Sequence, residues 1–414
     1  MRVESFDIHF ENGMQALKAS RWAEAEAYFR KAARDARVSN SGDVRVADAV
    51  GGLAQALDGQ CRHREAACQF ARSISLYERA GLADDDLVVG LRLSYAGACL
   101  EAGEFKIAEE VARREVGRLE EDVARAGLLA DAVCLLVDSL IAGRRPEEAH
   151  REAARVVCLA HDCDRMPPES RIGVRQKVAR LLCRLGYLQQ AELLTRSAVL
   201  DARQCVRKDD LARAAVYGQA GAVYLEIEKN DDAAGLLWRC WDLRKKSLPE
   251  DHEDVIDAQV NFAMALSRIG QVHDAYRLCR DAIALAERTY GRDSVDLAAP
   301  LNNLAQLALE LDRQDEAEHH TRRALAIVRQ HGRTHLHAAL VDNLGSLCLE
   351  SGKVSEAEAL YREALDIVSS GVGEDHPDAA CCLNNLASLL SRTGRLNEAE
   401  QMFRKSLGIC ERHF

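Results

Sequence analysis

The sequence predicts an all-α fold, an α-solenoid of about ten stacked helix-turn-helix units, and three observations carry that prediction. One alanine returns at intervals of 40–43 residues along the 414-residue chain: Ala25, Ala66, Ala108, Ala149, Ala191, Ala234, Ala275, Ala317, Ala357 and Ala399. Twelve residues before it stand Gly13, Ala54, Ala96, Ala179, Ala222, Ala263, Ala305, Gly345 and Ala387, with Val137 the one larger residue. The chain holds only 26 Gly and 6 Pro, too few for the frequent turns of an all-β protein. Its 48% hydrophobic but 5% aromatic content fits thin layers of close-packed helices, and excludes a disordered chain.

Each unit opens with a first helix that carries the small residue of the earlier column. A tight turn follows, marked five residues before the anchor by Gly103, Gly186, Gly270, Gly352 and Gly394, since glycine takes positive φ without strain. The second helix carries the anchor and, four residues later, a bulky side chain in several units: Phe29, Phe70, Trp238, Tyr361 and Phe403. Seven residues after the anchor, Ala32, Ala198, Ala282, Ala324 and Ala364 again demand little space. Between these marks the apolar residues keep helical spacing, as in Leu360, Ala364, Leu365, Ile367 and Val368. Two antiparallel helices approach closely where both present Gly or Ala, and the large residue fills the groove toward the next unit. No unit buries its apolar face alone; a stack does.

Arg144 and Lys229 stand where the turn glycine is usual, so units four and six fit the pattern least well. Between units four and five, Met166-Pro167-Pro168-Glu169-Ser170 is the densest cluster of helix breakers. It divides the expected solenoid into residues 1–165, units one to four, and 166–414, units five to ten, with a bend or simply a longer connector between them.

Charge and motif content narrow the function. The formal charge is −11, from 66 acidic and 55 basic residues, which offers no net positive field for nucleic acid or an anionic bilayer. No run of 18 apolar residues is present, Met1–Phe10 has no signal-peptide character, and 14 cysteines lack paired spacing. Reduced thiols in a cytoplasmic protein are the expectation. Phosphate-loop, dinucleotide, nucleophile-elbow and zinc-protease motifs are absent, so neither catalysis nor a cofactor is expected. Cys158, His161 and Cys163 lack the fourth ligand and the spacing of a zinc knuckle. His331, His335 and His337 read as part of a connector and not as a ligand set.

Across essentially the whole chain the pattern resembles the tetratricopeptide repeat family, in its long form of about 42 residues found in kinesin light chains and related bacterial proteins. The resemblance is closest in Leu301-Asn302-Asn303-Leu304-Ala305, in Leu383-Asn384-Asn385-Leu386-Ala387 and in the connector Gly373-Glu374-Asp375-His376-Pro377-Asp378. No heptad coiled coil accompanies it, so a motor-linked role does not carry over. What the resemblance implies is a right-handed superhelix whose first helices line a concave groove that grips an extended peptide or protein segment.

On that face, fourteen residues before the anchor, the last four units present Asn261, Asn303, Asn343 and Asn385. An amide offers both donor and acceptor, so a column of them suits the backbone of an extended peptide whatever its side chains. The competing reading is that these amides cap or bridge neighbouring helices. Beside them lie Asn302, Asp342 and Asn384, then Gln306, Ser346 and Ser388, then the charges Arg268, Glu310, Glu350 and Arg392. The corresponding stretch of the first six units offers Glu11, Gly52, Ser94, Leu136, Val178 and Ala220, a more apolar surface in which Leu136 and Val178 read chiefly as core. The basic clamp of chaperone-binding relatives is missing, since its position holds Asp257, Ala299, Ala339 and Cys381.

The expectation is thus a non-catalytic scaffold for a protein or peptide partner. Its rivals are a ligand-responsive regulatory or sensor module, and the repeat arm of a multi-component enzyme. Leu407, Ile409, Cys410 and Phe414 would lie at an uncapped end able to contact a partner or a second copy.

Overall fold

The computed structural model describes residues 2–18, 21–38, 43–60, 62–120, 122, 125–162, 166–206, 209–331, 335–371 and 377–413. Among them the regular structure is helical, in ten successive hairpins. The first three hairpins are α1 (Arg2–Lys18) with α2 (Trp22–Val38), α3 (Asp43–Gly59) with α4 (His63–Arg79), and α5 (Asp86–Glu101) with α6 (Phe105–Leu119). Hairpins four and five are α7 (Ala126–Ala142) with α8 (Pro146–Asp162) and α9 (Pro168–Arg184) with α10 (Leu188–Cys205). Then come α11 (Asp210–Glu226) with α12 (Asn230–Ser247), and α13 (Glu253–Arg268) with α14 (Val272–Tyr290). The last three are α15 (Ala298–Glu310) with α16 (Gln314–His331), α17 (His335–Glu350) with α18 (Val354–Gly371), and α19 (Pro377–Arg392) with α20 (Leu396–His413). The chain forms two compact units, Met1–Asp201 and Ala202–Phe414, each an α-solenoid of stacked hairpins. The proline pair lies inside the first unit, where Pro167 caps α9 and Pro168 takes its first turn, the helical position that tolerates a missing N–H.

The small-residue columns form the hairpin seams. Nine anchors of the sequence pattern are at most 3% exposed, and so are Ala54, Ala96, Ala179, Ala263 and Ala387 of the earlier column. Unit six departs by one residue. There Ala233 is fully buried while Ala222 faces solvent, Leu237 is 3% exposed and Trp238 is 47% exposed. A Cβ on Gly221 would sit 2.5 Å from Leu237, as one on Gly345 would sit 2.9 Å from the Tyr361 ring. The true anchor of unit six is therefore Ala233, and its groove-filling residue is Leu237, not Trp238. The Ala233-Ala234 doublet conceals this in sequence.

The shift explains the turns as well. In all ten hairpins the N–H four residues before the anchor donates to the carbonyl five residues earlier, as Glu104 does to Cys99 at 2.8 Å and Lys229 to Tyr224 at 2.8 Å. In the eight hairpins where the residue preceding that donor is described, it is left-handed: Gly103, Gly186, Gly270, Gly352 and Gly394 lie at φ of 75–81°, while Arg144, Glu228 and Asp312 hold φ of 58–61°. Glu228, not Lys229, thus takes the turn position in unit six. The hairpin geometry overrides a local cost of about 1–2 kcal/mol at each non-glycine site.

Charge reinforces the stacking. The residue that closes the turn is basic in several units and reaches a glutamate one residue after the previous anchor: Arg62 to Glu26 (2.9 Å), Arg145 to Glu109 (2.8 Å), Lys353 to Glu318 (2.6 Å) and Arg395 to Glu358 (2.8 Å). Hydrogen bonds from Lys353 and Arg322 hold Glu318 below the usual carboxylate range, and Arg362 and Arg395 do the same for Glu358. Such depressed carboxylates stabilise the fold above the ordinary glutamate pKa, and the contribution is lost as pH falls through the lowered value. Each pair is partly exposed and individually small.

Candidate functional site

Successive first helices approach one another along their backbones, α13 with α15, α15 with α17 and α17 with α19, whereas second helices are joined by long side chains, as Arg329 to Glu363 at 2.6 Å. The first helices therefore form the inner side of the second unit. The asparagine column lies on this side. Asn261 is exposed, and Asn303, Asn343 and Asn385 are half-buried. Asn384, Gln306, Arg268 and Arg392 are exposed beside them, whereas Asn302 is buried. The corrected register of unit six adds a fifth amide, since the residue fourteen before Ala233 is the exposed Gln219. The Ala233-Ala234 doublet hides Gln219 in the sequence, and the pairing of Gly221 with Leu237 is the signal that reveals it.

The amides divide into two groups. Asn343 donates from Nδ2 to Oδ1 of Asn302 at 3.0 Å, and Asn385 donates from Nδ2 to Oδ2 of Asp342 at 2.8 Å. Both bonds join one first helix to the next, so the bridging role is real for these two. Asn261 and Asn303 make no side-chain hydrogen bond to a described residue and keep the full donor and acceptor capacity of an amide. Of the charges around the column, Glu310 accepts a hydrogen bond from Ser267 at 2.6 Å.

Asp342 is the site's electrostatic weak point. Its Oδ1 is buried without a hydrogen-bond partner among the described residues. Burial raises its pKa, and the bond from Asn385 only partly opposes the shift. A raised carboxylate pKa means that the charged form destabilises the fold at neutral pH and that stability is regained as pH falls through the folded value. Asp342→Asn keeps an acceptor for Asn385 and removes the charge. Thermal unfolding of this variant at pH 7 is expected to be more favourable to the fold by roughly 1 kcal/mol. The gap to the parent should close on acidification; a gap that persists or widens would show that the charge is compensated.

In the first unit the inner surface is different. Leu136 and Val178 are core at 1% and 0% exposure, in line with the apolar reading. They lie one residue past the column, whose true occupants there are half-buried Leu135 and Lys177. Lys177 donates to Asp131 across successive first helices at 2.7 Å. Leu93, Leu128, Cys134 and Leu135 with Asp131 and Asp138 line a cavity of about 380 Å³.

Cys163, the connector residues 373–376 and Phe414 lie outside the described residues, as do the side chains of Cys158, His161, His331 and His335. His337 is buried, and no group of three or more potential metal ligands forms among the described residues. At the last hairpin Leu407 is exposed as expected, Ile409 is buried instead, and Leu396 and Phe403 complete the exposed apolar strip. No helix among the described residues is long and apolar enough to cross a membrane.

Comparison with known proteins agrees with this architecture. A tetratricopeptide repeat family model matches residues 254–330 and 336–412, hairpins seven to ten. No curated protein matches the chain. Among solved structures, BtubC (BKLC) from P. vanneervenii is 22% identical, with 56% of this chain and 91% of that one covered, at a TM-score of 0.44. The apo form of the quorum sensor NprR from B. thuringiensis is 12% identical, with 79% and 100% covered, at 0.42. A Rap protein complexed with Competence and Sporulation Factor is 14% identical, with 78% and 98% covered, at 0.46. Hairpins seven to ten thus match the tetratricopeptide repeat model, and the turn bond they share recurs in all ten hairpins.

Proposed function

We propose that this protein is a non-catalytic interaction module, and that the inner side of its second unit binds an extended peptide or protein segment. The observation that carries the reading is the row Gln219, Asn261, Asn303, Asn343 and Asn385, one amide per first helix, of which Asn261 and Asn303 have no internal bond to satisfy. An unspent amide can pair with peptide N–H and C=O groups independently of sequence. Arg268 and Arg392, with Glu310 and Glu350 between them, then select side chains by charge.

The bridged amides favour a regulatory variant of the same reading. A ligand that competes for the Asn343–Asn302 or Asn385–Asp342 bond changes how successive first helices are held together, and so alters the pitch of this unit. Scattering of free and ligand-bound protein separates a module that changes pitch from one that does not.

Peptides selected from a random display library on the full chain provide the test. The Asn261→Ala/Asn303→Ala variant should bind them more weakly by about 1 kcal/mol per amide, near fivefold each, with an unchanged melting temperature. Undiminished binding by the variant removes the peptide role. A fall in melting temperature with intact binding reassigns both amides to packing.

A further inference from the structure

On the outer side of the first unit, second helices α2 and α4 flank a cavity of about 300 Å³ whose bottom is formed by Val50, Leu53 and Leu57 of α3. Four arginines line it, Arg30, Arg34, Arg37 and Arg72, together with Gln69 and Glu65. Two of the charges at its edge are already neutralised. Arg30 donates from Nε and Nη2 to Glu26 at 3.0 and 2.6 Å. Both oxygens of Glu65 are taken by Arg62, at 2.8 and 2.7 Å.

Arg34, Arg37 and Arg72 remain, and none makes an ion pair with a described carboxylate. In a chain of net charge −11, three guanidiniums without a carboxylate partner thus share one cavity. Desolvation at the groove and the charge of Arg37 lower the pKa of Arg72, so the cluster is a repulsive one that lacks its counter-ion. Arg34 and Arg37 are three residues apart on one helix and share a face, while Arg72 comes from the neighbouring hairpin.

We infer that this outer groove binds a phosphate dianion carried on a small organic body, with Arg34, Arg37 and Arg72 clamping the phosphate and the body seated over Val50, Leu53 and Leu57. Guanidinium forks match phosphate oxygens in pairs, and three positive charges favour a dianion over a monovalent carboxylate. Gln69, half-buried at the same wall, adds an uncharged donor. The volume exceeds that of phosphate alone several times over and lies at the lower end of the range for small-molecule sites. The groove belongs to second helices of the first unit, so it stands or falls independently of the amide row.

Calorimetric titration of the full chain at low salt with phenyl phosphate, inorganic phosphate and benzoate tests the assignment. Phenyl phosphate should saturate with a Kd at or below roughly 1 mM, and benzoate should bind at least about tenfold more weakly. The Arg37→Gln/Arg72→Gln variant should lose about tenfold in phenyl phosphate affinity while melting no lower than the parent, because a repulsion has been removed. Arg34→Gln, an exposed helix position, gives an independent loss should the double variant fold poorly. Affinity for inorganic phosphate equal to that for phenyl phosphate overturns the organic body and leaves the phosphate clamp. Absence of saturation by either phosphate, equal binding of benzoate, or unchanged affinity in the variants overturns the site itself.

Discussion

Phe29→Ala is expected to cost about 3–5 kcal/mol of stability, confined to the first two hairpins. Phe29 is fully buried and packs edge-on against Phe10, with ring centroids 5.7 Å apart. It is held from two sides by positions that have no side chain. A Cβ on Gly13 of its own hairpin would lie 2.9 Å from the ring, and one on Gly52 of the next hairpin 2.4 Å. Truncation opens a cavity that neither glycine can fill. Gly52→Ala alone overpacks the same space and should cost about 1–3 kcal/mol. The two changes share one void, so Phe29→Ala/Gly52→Ala should cost less than the sum of the single variants. Because a solenoid couples nearest neighbours, amide exchange should accelerate in α1–α4 and stay at parent levels from α7 onward. Additive costs, or acceleration spread through the first unit, would contradict the proposed interlock.

The same interlock shows what can be read from sequence. The anchor alanines, the small residue opposite and the left-handed turn are properties of one hairpin, and each is written within about twenty consecutive residues. The anchor was legible for nine units, and the turn for the five that carry glycine there. Unit six failed because Ala233 and Ala234 both satisfy the anchor, and only the pairing of Gly221 with Leu237 decides between them. Which amides are free was not legible. Asn343 reaches Asn302 across 41 residues and Asn385 reaches Asp342 across 43, so small differences in unit length choose the partner. The arginine groove was invisible for a similar reason. Arg34 and Arg37 are unremarkable on a charged helix face until the stacking of α4 beside α2 brings Arg72 to them.

Unit three carries the other large expectation. Seven residues after the anchor, where most units place a small residue, this hairpin has Glu115, which is fully buried. Its Oε1 is 3.3 Å from Arg118 and 3.7 Å from the buried Arg92, and Arg92 also donates to Glu78 at 2.8 Å. Oε2 of Glu115 and Nη1 of Arg92 find no hydrogen-bond partner among the described residues. A buried pair with unsatisfied atoms on both sides gains little from its attraction, yet neither half tolerates loss of the other. Glu115→Leu should therefore destabilise the first unit by about 1–3 kcal/mol, since it leaves the buried Arg92 guanidinium with Glu78 as its remaining carboxylate partner. Arg92→Met/Glu115→Leu should recover most of that loss, and could exceed the parent, because both desolvation penalties disappear together. Urea denaturation of the four proteins of this cycle measures the coupling directly. If the double variant is no more stable than Glu115→Leu alone, the pair contributes specific packing between α5 and α6 that apolar side chains cannot replace, and the electrostatic account of this hairpin fails.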